Sequence, residues 1–272
     1  MLNHFFRVVK AEAVKQHKNY FHSQLIYFSM LAWPILTFTA AYFTYKPFRL
    51  NAAVGRISYL TEENLITFIL IGYLAQMFFR SLVQSAWWFS FERTSGTLEL
   101  IYLSPANRLA CVFGNAVSSL FESVWLFVIF SGGILLFYGN VQYPGMGMIL
   151  LAVLTVMIPS VLWGMLLNAM FLFSRDTRIL FTILEEPMEL FAGVKVPVAI
   201  FPVWAKAISF FFPLTYSIEV LRRIFLKGEI FSDLASLIST IVIVSAVMLM
   251  ATVLLLKIGE GYAKKTGNMS LF

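Results

Sequence analysis

Cysteine, histidine and charge are all scarce in this chain. Cys111 is the single cysteine in 272 residues, so no disulfide can close within the chain, and the redox compartment cannot be read from it. The three histidines, His4, His17 and His22, all precede the first long apolar run. With one cysteine and no paired histidines at ligand spacing, no metal site is expected. No Gly-rich phosphate loop of the Walker type occurs, so nucleotide hydrolysis is not expected in this chain. Nor is there a nucleophile placed with its base, so no catalytic residue is assigned. Charged residues make up 12% of the chain, against about 25% in a soluble domain.

What fills the chain is apolar. Hydrophobic residues account for 60%, with 28 Phe and 12 Met, and the mean hydropathy is +0.81. These values describe a polytopic, all-α membrane protein folded as a single transmembrane domain over 1–272. The length leaves room for six transmembrane helices joined by short links. No stretch is polar and long enough for a separate soluble domain. The net charge of +6 suits an anionic inner-leaflet lipid surface. The basic residues are scattered and sit at membrane edges, so nucleic acid is not an expected partner.

Residues 1–22 read as an N-terminal interfacial amphipathic helix. Leu2, Phe5, Phe6, Val9 and Ala13 share a stripe, with Arg7, Lys10, Lys15 and Lys18 off it or on its edges. The apolar run that follows is too long for a signal peptide. Spans are expected at about 23–45, with Trp33-Pro34 as a kink point, then 64–91, 109–138 and 146–173. A fifth begins near Ile179 and is interrupted by Pro187, Gly193 and Pro197; a sixth covers about 233–256. The region 197–230 fits no full span. Pro197, Pro202 and Pro213 divide it and six charges dot it, so it reads as short helices over about 203–211 and 214–226. Backbone of that kind lies at membrane depth only when protein or water covers it.

Between spans 2 and 3 lies a polar island, Phe91 to Arg108. It predicts a small helix of its own, with Gly96 at the N-cap and Glu99 in the first turn. Leu98, Ile101 and Tyr102 fall on one face. Ser104 is expected as the N-cap of the next helix, with Pro105 at N1. A helix this short is unstable alone in water and must lie against membrane or a partner. Counting Lys and Arg with the N-terminus inside places eleven in inside segments and eight outside. The two Arg of the very short 174–178 link favour the same orientation, with both termini and the island cytoplasmic.

Arg80, Glu122, Glu185, Glu186 and Glu189 fall inside apolar runs. Each costs about 2.5–3.5 kcal/mol at the bilayer centre unless it faces protein or water. At 1.5 Å per residue, Arg80 and Glu189 both lie roughly 16 Å above the cytoplasmic ends of their helices. An ion pair between Arg80 and Glu185 or Glu189 is therefore within reach. Gln76 and Gln84 flank Arg80 one turn either side, and Ala110, Gly114, Ser118 and Glu122 recur every four residues. Two roles stand open for these residues: glue between spans, or a polar lining for a substrate path.

The island, from Glu92-Arg93-Thr94-Ser95-Gly96-Thr97-Leu98-Glu99 to Ser104-Pro105 and Arg108, resembles the segment between spans 2 and 3 of ABC-2 type transporter permeases. Gly193, Pro197, Phe201-Pro202-Val203-Trp204 and Phe212-Pro213-Leu214-Thr215-Tyr216 are similar to that family's stretch after span 5. The resemblance implies the membrane subunit of an ATP-driven exporter, in the cell membrane. Its expected partners are separate ABC ATPase subunits, which bind the ATP and Mg, and a second permease chain forming a homo- or heterodimer. Segment 92–104 would be the coupling helix, with Glu92, Arg93, Gly96, Thr97, Leu98, Glu99, Ile101 and Tyr102 meeting the ATPase. Pro202, Trp204, Pro213 and Tyr216 would belong to short re-entrant exofacial helices over 203–226. The expected cargo is amphipathic or hydrophobic: a drug-like molecule, a lipid or a lipid-linked glycan. The competing expectation is a proton-coupled secondary transporter working through the intramembrane glutamates. It leaves the Gly-Thr-Leu-Glu island unexplained.

Overall fold

A computed structural model describes residues 2–20, 24–45, 64–94, 97, 100–101, 104–137, 144–171 and 177–266. All regular structure among these residues is helical. The helices are α1 (Leu2–Tyr20), α2 (Gln24–Tyr45), α3 (Leu65–Thr94), α4 (Arg108–Phe137), α5 (Met146–Phe171) and α6 (Thr177–Phe191). A 3-10 turn at Val198–Ile200 leads to α7 (Val203–Phe211), α8 (Pro213–Arg222) with a π turn at Arg223–Lys227, and α9 (Phe231–Thr266). Four helical stretches among the described residues are long and apolar enough to cross a membrane: Thr67–Gln84, Arg108–Ile129, Met146–Met170 and Phe231–Gly259. The chain is a multi-pass membrane protein.

Burial ranks these helices. In α3, 83% of the crossing stretch is buried; in α9, 28% is. Helix α3 is therefore the central post, packed by α4, α5, α8, α6 and α2. Phe68, Phe78, Phe79 and Leu82 are all but fully buried along it. Helix α9 turns Val242, Ile243, Val247, Met250 and Leu254 outward. Such a continuous exposed apolar surface is stable against lipid tails and not against water. Trp163 of α5 is buried edge-on to Phe211 and Phe212 at the α7–α8 junction.

Polar side chains join the bundle where apolar packing alone would leave register loose. Asn115 of α4 donates its amide to Asn168 Oδ1 of α5 at 3.1 Å, and Asn168 donates to the Gly164 carbonyl at 2.9 Å. Ser217 of α8 donates to the Thr155 carbonyl of α5 at 2.8 Å. Ser81 of α3 bonds Ser123 of α4. Hydrogen bonds of this kind hold membrane helices together where lipid offers no alternative partner.

Helix α1 docks on α4, but not through the whole expected stripe. Phe6 is 58% exposed, while Glu12 and Gln16 are buried. The face that packs carries Phe5, Val9, Glu12 and Gln16, spaced at helical intervals. It rests on Gly114, where an added Cβ would come within 2.9 Å of Glu12 Cβ and 3.1 Å of Val9 Cα. The buried carboxylate is tolerated because Lys15 pairs with it at 2.7 Å and Gln16 donates to it at 3.0 Å.

Two further expectations need correction. Ser104 does not cap the helix that follows. Its hydroxyl donates backward to the Ile101 carbonyl at 2.7 Å, closing the preceding segment. Asn107 takes the cap instead, its side-chain oxygen accepting the Ala110 N–H at 3.3 Å, and α4 starts at Arg108. Nor does Pro187 interrupt α6, which runs through it to Phe191 and stops before Gly193. Gly193 has φ +85°, a conformation open to glycine and strained for other residues.

Candidate functional site

Three of the five charges expected inside apolar runs, Arg80, Glu185 and Glu189, come together on one contact, between α3 and α6. Both helices place polar residues one turn apart, Gln76 and Arg80 on α3, Glu185 and Glu189 on α6. The result is a ladder. Arg80 Nε lies 3.8 Å from Glu185 Oε1. One turn along, the Gln76 side chain faces the Glu189 carboxylate. Lys195, just beyond the end of α6, closes on Glu189 at 2.7 Å, and its Nζ stands 6.0 Å from the centre of the Tyr73 ring. Lys195 enters this set without having been expected in it.

The ladder is graded in exposure. Glu185 and Gln76 are buried at 8% and 6%, whereas the side chains of Arg80, Glu189 and Lys195 are each about one-third open. Glu185 Oε2 and Gln76 Oε1 have no hydrogen-bond partner among the described residues. Glu186, next in sequence, is exposed and stands off the ladder. The side chain of Glu122 lies outside the described residues. The ladder thus offers hydrogen-bond acceptors on its closed side and mixed charge on its open side. Burying such groups is costly unless they are paired, and here the pairing spans two helices.

Above the ladder sits a residue that the sequence did not single out. Arg222, at the end of α8, is 2% exposed. Its Nη1 donates to the Gly193 carbonyl at 2.8 Å, and Nη2 donates to the carbonyls of Val194 at 2.8 Å and Phe68 at 3.3 Å. Its guanidinium carbon is 3.4 Å from the centre of the Phe68 ring. One side chain thereby joins α8, the turn after α6 and the start of α3. Gly72 makes room for this, since a Cβ there would meet Val194 O at 2.2 Å and Arg222 Nη2 at 2.8 Å. The signal in the sequence was present but faint: a basic residue on an otherwise apolar helical face, Leu214, Ile218, Leu221, Arg222.

The motif residues after α6 are placed as follows. Pro202 precedes α7 and is exposed; Trp204 is 63% exposed with its ring edge-on to Phe191 at 5.8 Å. Pro213 is buried at the first position of α8. Tyr216 donates its hydroxyl to the Phe210 carbonyl at 3.0 Å, holding α8 against the end of α7. Ser209 donates to the Phe191 carbonyl at 2.6 Å, tying α7 to α6.

At the opposite end, α3 runs to Thr94. Of the expected coupling residues, Gly96, Leu98, Glu99 and Tyr102 lie outside the described residues, as do the side chains of Glu92 and Arg93. Thr97, Leu100 and Ile101 are helical. Leu100 is 67% exposed, so an apolar side chain is presented outward here. Arg108 Nη1 gathers the carbonyls of Ile101, Ser104 and Ala106 at 3.4, 3.2 and 2.7 Å. That closes the C-terminal end of the segment, where a cation is favourable. The His4 ring donates to the Pro105 carbonyl at 3.4 Å, bringing the start of α1 to the same turn.

A family model for the ABC-2 type transporter matches residues 7–226. The chain belongs to the ABC-2 type transporter family. The match takes in α1, the island, the ladder helices and both short helices after α6. No curated protein matches the chain. The protein is a transporter permease, not itself catalytic, and permeases of this family generally work with ABC ATPase partners and often dimerise.

Proposed function

We propose that this chain is the permease subunit of an ATP-driven exporter of amphipathic or hydrophobic cargo. It has six spans, α2 to α6 and α9, with α7 and α8 as short re-entrant helices on the exofacial side and both termini in the cytoplasm of a cell-membrane protein. Helix α6 has 15 residues, about 22 Å at 1.5 Å per residue, short of a ~30 Å hydrocarbon core. The α7–α8 pair fills the remaining depth. Two permease chains enclose the path, and separate ABC ATPase subunits bind ATP and Mg below it. Segment 92–104 is the coupling helix.

The observation that carries the reading is the family match together with Leu100, an apolar side chain turned outward between the end of α3 and the turn that Arg108 closes. A short helix there needs a partner surface. The α3–α6 ladder lines the path: its open side, Arg80, Glu189 and Lys195, gives cargo a polar foothold beside apolar walls. The test is reconstitution with the ATPase. ATP-dependent efflux of an amphipathic dye is expected, and Arg80→Ala should reduce it while the protein remains folded.

One observation favours a second reading, proton coupling: Glu185 is buried at span depth with one carboxylate oxygen unpartnered. That reading requires transport without any ATPase, abolished when the proton gradient is collapsed.

A further inference from the structure

The α3–α6 ladder constrains the head of the molecule it can receive. Two buried side-chain atoms there, Glu185 Oε2 and Gln76 Oε1, meet no hydrogen-bond partner among the described residues. Both are acceptors. Glu185 and Gln76 are 8% and 6% exposed, so bulk water does not replace the missing partners, and a buried acceptor left unpaired is costly. Gln76 cannot remove its orphan by turning its amide over. Its side chain faces the Glu189 carboxylate, and the exchange would set oxygen against oxygen. The cations of the ladder are engaged: Lys195 holds Glu189 at 2.7 Å, and Arg80 stands by Glu185. The missing partner is therefore a hydrogen-bond donor from outside the chain. Charge points the same way, because Glu185, Glu186 and Glu189 outnumber Arg80 and Lys195 along this contact. Access does too. Glu186 and Leu190 are turned outward on α6, Leu190 by 65%, so a cation with an apolar tail meets a carboxylate and a leucine first. The 3.8 Å between Arg80 Nε and Glu185 Oε1 is longer than a hydrogen bond, so an entering donor breaks none there.

We propose that the ladder receives an amphipathic cargo whose head is a protonated amine, its N–H groups donating to Glu185 and Gln76; this rests on the permease function proposed above. A primary ammonium carries three donors, one each for Glu185 Oε2, Gln76 Oε1 and the partly open Glu189 carboxylate. Hydrogen bonds from an ionised donor to a carboxylate are the strong ones. A quaternary ammonium brings the same charge but no N–H, and leaves both orphans unpaired. A carboxylate head would bring a further acceptor to a contact that lacks donors. The ladder thus discriminates by hydrogen bonding as well as by charge.

The experiment uses the full chain in lipid nanodiscs, without an ATPase, and reads saturable binding of radiolabelled dodecylamine above that of empty nanodiscs. Unlabelled dodecylamine should compete fully. Dodecyltrimethylammonium and laurate should each compete at least about tenfold more weakly, for want of a charge-assisted hydrogen bond. Glu185→Gln should weaken binding about tenfold by the same loss. Gln76→Met removes the second acceptor at unchanged charge and should weaken it about fivefold; it decides the matter if Glu185→Gln does not fold. Glu219→Gln, a carboxylate on α8 paired with Arg223, should leave binding unchanged. Equal competition by dodecyltrimethylammonium or laurate overturns the proposal, as does undiminished binding in folded Glu185→Gln or Gln76→Met, which would leave the buried oxygens to a proton alone. The two readings fail separately. Binding retained without ATP-driven efflux faults the exporter, whereas efflux of a neutral amphiphile by a chain that does not bind dodecylamine faults this site.

Discussion

Arg222 is the residue on which most backbone depends. Three carbonyls, from Gly193, Val194 and Phe68, accept from it in a buried setting. Removing the guanidinium leaves them without these donors, at about 1–3 kcal/mol each before relaxation. Arg222→Met should therefore lower stability by about 3 kcal/mol or more. Arg222→Lys should rescue little, because one ammonium cannot reproduce a planar fork. Thermal unfolding of the purified variants checks both. Arg80 and Glu185 form a different case. At 3.8 Å, with Arg80 partly open, the pair contributes little to stability. Its removal should alter transport more than folding. Arg80→Glu and Glu185→Arg should each impair efflux, and the double exchange should restore most of it. If Arg80→Ala and Glu185→Ala leave efflux unchanged, the ladder is only glue.

At the scale of the element, close approach decides. Helix α1 lies on α4 over Gly114, and the turn after α6 lies on α3 over Gly72. Gly114→Leu should push α1 off, at a cost of about 1–3 kcal/mol, and hydrogen exchange of residues 2–20 should speed up. Gly72→Ala meets backbone, Val194 O at 2.2 Å, which cannot swing aside as a side-chain tip can. It should be the more damaging of the two, visible as loss of folded protein on size-exclusion chromatography. These contacts also show which features were legible in the sequence. Helix positions were, because hydropathy and proline mark them: α7 and the start of α8 fall within a residue of their expected places. The Arg80–Glu185 contact was within reach because both depths follow from a fixed rise per residue. Arg222 was not, since one of two adjacent arginines in a charged stretch reads as a surface charge until the carbonyls around it are known. The cap of α4 was missed because Ser104 spends its hydroxyl on the turn, donating to the Ile101 carbonyl and accepting the Ala106 N–H, while Asn107, three residues on, meets the Ala110 N–H that starts the helix. The face of α1 was missed because hydrophobicity alone does not reveal that a glutamate with its own lysine and glutamine can be packed.

For the molecule as a whole, the helices divide by surroundings. Helix α3 is sheathed in protein and carries the ladder; α9 is mostly turned outward and apolar. A dimer closing over the open side of the ladder would place Arg80, Glu189 and Lys195 between two chains, with lipid kept to the α9 side. The island follows the end of α3, the post that bears the ladder; under the proposed function, force applied to it would be carried along α3 to Gln76 and Arg80. The central claim is that this force comes from an ABC ATPase. The most direct measurement is co-purification of the full chain with an ABC ATPase subunit of the same organism, alone and with Leu98→Asp or Glu99→Lys. A stable complex that either substitution breaks, or whose ATP hydrolysis it uncouples from efflux, is the predicted result. An ATPase that does not bind, or a complex indifferent to both substitutions, would contradict the account.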